Sequence, residues 1–413
     1  MQPAEQTTVS PYRWVIGALL LPLNAAIGLN FVAPTPLYPL VMEDYGLNRG
    51  TVSLLVVAVA VVFTIFLIPG GLIVAKLGPR KAIAIGGFLV GVGVLAPLAS
   101  SFWVLVALRL AFGVGGSIAF PGFSGVAVQW FPRKELPVVN GLNLAAQTAG
   151  VAAALFLSVP LADALGWRSA LGAYGAVALL GTGAWLLLGR SSPAQSRLSG
   201  TTPSLGEVVR SLKEKTPLLL AFATVGPNAL FLGFSWLPTY YHEAKGMPLD
   251  QAGSLVALTS SIGIVMNPLS GVLHAKVGLR RPFLALAGVL MPLAALGAIL
   301  LDGFVLLAAS GLVLGAASCL FLTALLTIPM ELPGVTLEKV AVVTAGILTL
   351  GNGTAIVAPL FVGMMTDALG SYLPSLLILA FMPVTLLIAV AFLPETGPRA
   401  ARSAVAPVPG NPR

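Results

Sequence analysis

The sequence predicts an all-α membrane protein of twelve transmembrane helices in two pseudo-symmetric six-helix bundles. Three observations carry that prediction. The 413 residues are 57% hydrophobic and only 9% charged, with mean hydropathy +0.97, a composition that water-soluble domains do not have. Charge-free runs of about 20 residues or more, enough to cross a bilayer as helix, occur twelve times. The chain also repeats itself. Gly71 to Lys81, GLIVAKLGPRK, returns as Gly271 to Arg281, GVLHAKVGLRR, with Gly, Ala-Lys, Gly and Arg at identical offsets. Two more echoes keep nearly the same spacing: Pro22-Leu-Asn24-Ala25 against Pro227-Asn228-Ala229, and Asp163-Ala-Leu-Gly166 against Asp367-Ala-Leu-Gly370. The copies run in parallel through both halves.

Each run is bounded by charge or by the polar residues of a turn. In the first half the runs are Trp14–Met42, Gly50–Ala75, Ala82–Leu108, Leu110–Pro132, Leu136–Ala162 and Ser169–Gly189. In the second they are Thr216–Tyr241, Gln251–Ala275, Pro282–Leu301, Gly303–Met330, Val340–Thr366 and Ala368–Pro394. The predicted organisation is a bundle over 1–189, a cytoplasmic linker over 190–216, a second bundle over 217–394 and a cytoplasmic tail over 395–413. The linker holds Ser, Pro, Gly and five basic residues between Arg190 and Lys215, the composition of a flexible connection. Barrel strands need only about 9–11 alternating residues; these runs are longer and do not alternate. The 46 glycines and 32 prolines suit membrane helices, where small residues permit close approach and neighbours repair the backbone.

Basic residues set the orientation. With the N-terminus inside, cytoplasmic segments hold 18 of the 22 lysines and arginines, the opposite loops hold Arg49, Arg168 and Lys245, and Arg109 lies within a span. The positive-inside rule then places both termini in the cytoplasm, and the plasma (inner) membrane is the expected location. The first run is too long for a signal-peptide core and lacks a clear cleavage site, so it is expected to be a retained helix. The net charge of +8 reports topology and contact with lipid headgroups rather than nucleic-acid binding. Cys319 is the single cysteine, which excludes an intrachain disulfide.

This layout, with a Gly-x-x-x-Ala-Lys-x-Gly-x-Arg-basic turn after the second and eighth runs, resembles the major facilitator superfamily over Arg13 to Pro394. The resemblance marks Gly71, Lys76, Gly78 and Arg80, and Gly271, Lys276, Gly278 and Arg280, as a gating loop; the other reading makes the cations topogenic charges alone. The family's turn usually carries an Asp where this chain has Ala75 and Ala275. Arg109-Leu-Ala-Phe-Gly113-Val-Gly115, Phe120-Pro121, Trp130-Phe131-Pro132, Asn140-Gly141 and Gly166-Trp167-Arg168 are similar to the organic-anion and nitrate/nitrite branches. Trp236-Leu-Pro238-Thr-Tyr240-Tyr241 and the segment from Ala252 to Leu258 resemble cyanate-permease-like members. These branches move small anions. Here, however, the carboxylate that proton-coupled organic-anion symporters carry seven residues after the Arg is Gly116, and Ala25-Ala26 stands for their Asp-Arg pair. Nitrate porters carry an Arg in the second and eighth helices, and these runs have none.

Polar residues inside the membrane are costly unless they face the bundle interior or a wet cavity. Helical spacing groups Asn140, Asn143, Gln147 and Gly150; then Thr224, Asn228, Ser235 and Thr239; then Ser260, Gly263, Asn267, Ser270 and His274; and Thr349 with Asn352. The alternative is that such residues hydrogen-bond helices together. The expected solute-lining set is Arg109, Asn24, Asn30, Asn143, Gln147, Asn228, Trp236, Tyr240, Asn267 and Asn352. Arg109 has two open readings: it pairs with a bound anion, or it bonds helix-end carbonyls or snorkels as a structural residue. With no acid in mid-membrane, proton coupling would have to run through Glu331, Asp163 or His274.

No phosphate-binding loop, metal-ligand spacing or nucleophile elbow is present, so neither enzyme chemistry, nor a cofactor, nor a metal is expected. Residues and resemblance together imply a secondary active or facilitated transporter of a small organic or inorganic anion, of the cyanate, nitrite or carboxylate type, working by alternating access. Its partners would be a small-molecule substrate, the lipid bilayer and a coupling ion, proton or exchanged solute. An exporter of amphiphilic drugs on the same fold is the alternative, and a channel or a non-transporting receptor the reading from another class.

Overall fold

The computed structural model describes residues 10–132, 135–191, 210, 214–331, 337–397 and 399. The linker and tail expected at 190–216 and 395–413 lie largely outside these residues, as do Arg133 and Lys134, and the side chains of Asn140 and Thr349 are not described. Twelve helical segments among the described residues are long and apolar enough to cross a membrane: Arg13–Tyr45, Arg49–Leu67, Pro79–Leu98, Phe102–Ala127, Gly141–Leu165 and Trp167–Leu188, then Lys215–Glu243, Leu249–Val277, Arg281–Leu300, Phe304–Pro329, Gly351–Leu369 and Leu373–Phe392. They are called spans 1 to 12. The described regular structure is entirely helical. The chain forms two compact units, one of Met1–Thr202 with Met247–Ala257 and one of Pro203–Gly246 with Leu258–Arg413.

In the first unit, span 1 is broken. Helix Arg13–Val32 gives way to a 3-10 turn at Thr35–Leu37 and a short helix Tyr38–Tyr45. The cause is local: Pro34 and Pro36 have no N–H to offer the carbonyls of Asn30 and Val32, four residues earlier. Thr35 repairs one of these, its Oγ1 donating to the Val32 carbonyl at 2.9 Å. Spans 1 and 5 pack against each other, as do 2 and 4, and 3 and 4. Between spans 1 and 5 the contact is backbone on backbone. A Cβ added to Gly28 would land on the Gln147 carbonyl, and one added to Gly150 on the Ala25 carbonyl. The interior is apolar, with Ile16, Leu20, Phe112, Phe123 and Trp185 in one cluster. Leu180 and Leu187 project outward, 75% and 85% exposed, apolar surface of the kind that a bilayer covers. At the far end of the unit Asp44 clasps spans 1 and 6, accepting from Trp167 Nε1 at 3.1 Å and from Arg168 Nη1 at 2.7 Å.

The second unit repeats these devices. Span 7 breaks in the same place, from helix Lys215–Gly233 through a 3-10 turn Phe234–Trp236 to helix Leu237–Glu243. Spans 7 and 11 pack together, as do 9 and 10. Glu243 and Tyr372 form the corresponding clasp, Tyr372 donating at 2.9 Å. The duplication is also written in the backbone. Of the seven glycines with positive φ among the described residues, six fall into pairs: Gly46 and Gly246, Gly78 and Gly278, Gly166 and Gly370. Their separations of 200, 200 and 204 residues follow from those numbers and match the sequence echoes. Five of the six directly follow the last residue of a helix, and Gly246 lies three residues past one, in a conformation that costs glycine least.

Candidate functional site

Arg109 is 7% exposed in the middle of the first unit, and its guanidinium is committed to backbone. Nε donates to the Leu55 carbonyl at 2.8 Å, Nη2 to Phe31 at 2.7 Å, and Nη1 to Asn30. Asn30 is the carbonyl that Pro34 leaves without its helical donor. The guanidinium therefore caps the C-terminal end of the helix Arg13–Val32, where a positive charge also meets the negative end of the helix dipole. Its carbon sits 5.0 Å from the Phe112 ring centroid. No carboxylate pairs with it among the described residues. The adjoining cavity, lined by Asn30, Gly93, Leu105, Arg109 and Phe112, measures about 20 Å³, room for one water and not for a solute. Of the two roles open in the sequence, this is the geometry of the structural one. The second half needs no equivalent, because the Leu237 N–H satisfies the Phe234 carbonyl at its break.

The remaining first-half residues are mostly consumed by the fold. Asn24 donates to the Leu20 carbonyl at 3.0 Å and to Asn143 Oδ1 at 3.2 Å. That bond ties span 1 to span 5 beside the Gly28 and Gly150 contacts. Asn30 donates to the Ala26 and Tyr174 carbonyls at 2.9 and 3.0 Å. All three asparagines are buried. Gln147, one turn beyond Asn143, is half-buried and makes no side-chain hydrogen bond to any described residue.

In the second half the pattern inverts. Asn228, Asn267 and Asn352 are half-buried and make no side-chain hydrogen bonds among the described residues. Asn228 occupies the place of Asn24 at the offset of 204. Span 11 approaches it through Gly351, where an added Cβ would meet Thr224 Oγ1 and come within 2.6 Å of Asn228 Nδ2. The structure thus sets Gly351 of span 11 against Thr224 and Asn228 of span 7; Asn352 is the next residue on span 11, and Asn267 stands on span 8. Ser235 and Thr239 add buried hydroxyls without hydrogen-bond partners among the described residues. Trp236 and Tyr240, expected to line a path, are buried and bonded to backbone carbonyls of neighbouring spans. Trp236 Nε1 donates to the Pro359 carbonyl at 2.9 Å and Tyr240 to Ile299 at 2.8 Å.

The two glycine turns also part ways. Gly78 and Gly278 both adopt positive φ, and Lys76 and Lys276 are both exposed. Arg280, however, is 5% exposed and grips Glu331 through Nη2 at 2.6 Å and Nε at 3.0 Å, with Nη1 on the His274 carbonyl at 2.7 Å. Glu395 accepts the backbone N–H groups of Arg280 and Arg281 at 2.6 and 3.2 Å, neutralising the N-terminus of span 9. Arg80 is exposed and reaches only the Leu186 carbonyl, at 3.4 Å. The sequence reading did not find Glu395; its signal was an acid just past the last span, in the same region as the basic turn. Of the three proposed proton carriers, Glu331 is held in this ion pair, Asp163 is exposed, and His274 stacks on Phe283 with centroids 3.9 Å apart. His274 Nδ1 lies 2.8 Å from the Ser270 carbonyl and Nε2 is buried without a partner among the described residues.

Comparison with known proteins agrees with this architecture. A Cupriavidus necator protein named "Probable sulfoacetate transporter SauU" is 29% identical over 367 residues, covering 81% of this chain and 83% of its own. "Probable anion transporter 3, chloroplastic" from Oryza sativa is 24% identical over 341 residues, 73% of this chain and 64% of its own. The crystal structure of a bacterial homolog of the human lysosomal transporter Spinster, inward-facing and occupied, superposes with a TM-score of 0.72 at 17% identity, over 93% of this chain and 96% of that one. That likeness is one of fold. The family model described as Major Facilitator Superfamily matches residues 20–336, more than half of the sequence, and the chain belongs to that superfamily.

Proposed function

We propose that this chain is a secondary transporter of a small organic or inorganic anion, of the carboxylate or sulfonate type, working by alternating access in the plasma (inner) membrane with both termini in the cytoplasm. The observation that carries the anion class is the similarity, over four-fifths of both chains, to a protein named as a sulfoacetate transporter. The cytoplasmic placement rests on the basic-residue count. The groups that meet the solute in this reading are uncharged: Asn228, Asn267 and Asn352. Each amide supplies two N–H donors, and a polar group left half-buried in a membrane bundle without a protein partner is costly unless the pathway uses it. Arg109 acts as a positioning residue, fixing the break in span 1.

Glu331 is engaged by Arg280, so exchange of anion for anion, or facilitated uptake, fits the site better than tight proton symport. The test is ligand-dependent thermal stabilisation of the detergent-solubilised protein, since a ligand stabilises the state that it binds. Sulfoacetate and small carboxylates should raise the melting temperature, and Asn228→Ala with Asn352→Ala should abolish the rise. Stabilisation by lipophilic cations and none by anions would replace this reading with the drug exporter.

A further inference from the structure

The duplicated turn poses a question that the second half answers for itself. There, Arg280 and the N-terminus of span 9 are met by two carboxylates, Glu331 and Glu395. At the offset of 200 that relates the turns, Phe131 stands in place of Glu331, and its ring packs edge-on against Trp14 at 5.4 Å. At the offset of 204 that relates the ends of spans 6 and 12, Arg190-Ser191 stands in place of Pro394-Glu395. The first half has thus lost both carboxylates and gained a cation. Lys76, Arg80, Lys81 and Arg190 are exposed, and none has an acidic partner among the described residues.

Two of these cations, Arg80 and Arg190, meet the end of span 6. Arg80 reaches the Leu186 carbonyl at 3.4 Å and is held from behind by Trp185 Nε1, which donates to the Arg80 carbonyl at 3.0 Å. Lys81 is its neighbour in sequence. Arg190 stacks on Tyr12, 4.3 Å from the ring centroid, while the Tyr12 hydroxyl donates to the Leu188 carbonyl at 2.7 Å. Directly along the same helix lies outward apolar surface: Leu187 at 85% and Leu180 at 75% exposed, with nothing within 4 Å of a Cβ added to Gly183 between them. Cations above a notched apolar helix face match a molecule with an anionic head and hydrocarbon chains.

We propose that Arg80, Lys81 and Arg190 bind the phosphate headgroup of an anionic phospholipid, whose chains run along the Leu180 to Leu187 face of span 6. The lipid phosphate supplies to the first turn the negative charge that Glu331 and Glu395 supply to the second. Basic residues at a membrane surface each contribute about a five-fold preference for anionic lipid.

The experiment takes the full chain into bilayer discs of equal parts phosphatidylglycerol and phosphatidylcholine, releases it into detergent and weighs the retained lipid by native mass spectrometry. The wild type should retain phosphatidylglycerol preferentially, and Arg80→Gln with Arg190→Gln should reduce that preference by about five-fold for each charge removed. Arg80→Lys with Arg190→Lys should keep it. Lys215→Gln with Lys276→Gln, an equal charge change elsewhere, should also keep it. Undiminished preference in the Gln pair, or an equal loss in the Lys215 and Lys276 control, overturns the site. A parallel arm adds millimolar inorganic phosphate: displacement of the lipid by free phosphate at that level would assign the cluster to a soluble anion and overturn the lipid reading. Lys81→Gln alone provides the same comparison should the Arg80 and Arg190 pair fail to fold.

Discussion

Arg109 shows how far a residue's role depends on distant chemistry. In the sequence it is the one full charge within a span and invites an anion. In the structure, Pro34 removes the donor that the Asn30 carbonyl needs, and Arg109 replaces it across 79 residues of chain. Arg109→Gln should therefore lower stability before it alters selectivity. Three carbonyls lose a charged donor, and buried acceptors left unmade cost about 1–3 kcal/mol each, a large part of a typical folding free energy of about 5–15 kcal/mol. A thermal melt checks this: a large drop for Gln, and a smaller one for Arg109→Lys, which keeps the charge but loses the fork. An unchanged melt with lost anion binding would make Arg109 a solute ligand. Glu331→Ala offers a second residue-scale test. Removing one partner of a buried ion pair costs about 3–5 kcal/mol, and Arg280 is the buried member here; the melt should fall clearly.

At the scale of elements, the helices were legible and their polar faces were not. Charge-bounded apolar runs fix where spans begin and end, because burying a charge in hydrocarbon is costly, and the paired positive-φ glycines fall where the repeat demanded them. Asn24 and Asn228 look alike in the sequence, yet one is bonded to Asn143 and the other has no hydrogen-bonded partner among the described residues. At the offset of 204 the place of Asn143 is taken by Ile347, whose side chain offers no acceptor. The hydrogen bonds of Trp236 to the Pro359 carbonyl and of Tyr240 to the Ile299 carbonyl were likewise not legible, because an aromatic on a polar stripe gives no sign of which backbone carbonyl it reaches. The glycine contacts make the element-scale prediction. Gly150→Ala would push a methyl onto the Ala25 carbonyl, whereas Gly141, on the same helix Leu136–Leu165, has nothing within 4 Å. Gly150→Ala should destabilise by about 1–3 kcal/mol, the usual cost of overpacking. Gly141→Ala should be neutral or slightly stabilising through helix propensity. Equal melts for the two would show that spans 1 and 5 do not touch there.

For the whole molecule, the superfamily membership, the twelve spans and the internal duplication describe one object, two copies of a six-helix unit that keep their backbone devices and diverge in their polar chemistry. The first copy bonds Asn24, Asn30 and Asn143 within its own packing; in the second, the amides of Asn228, Asn267 and Asn352 have no hydrogen-bond partners among the described residues. Orientation is tested by cysteine accessibility in a chain whose native Cys319 is replaced: a probe at Ser199 should label from the cytoplasmic side only, and one at Lys245 from outside only. The central claim is carriage of a small anion by way of uncharged amides. Its most direct measurement is counterflow in proteoliposomes loaded with unlabelled sulfoacetate and exposed to a trace of the labelled compound. Wild-type protein should drive saturable, transient accumulation of label, and Asn228→Ala with Asn352→Ala, reconstituted at equal density, should reduce it at least ten-fold. Counterflow of a neutral sugar with none of sulfoacetate, or full sulfoacetate counterflow in the double variant, would contradict the account.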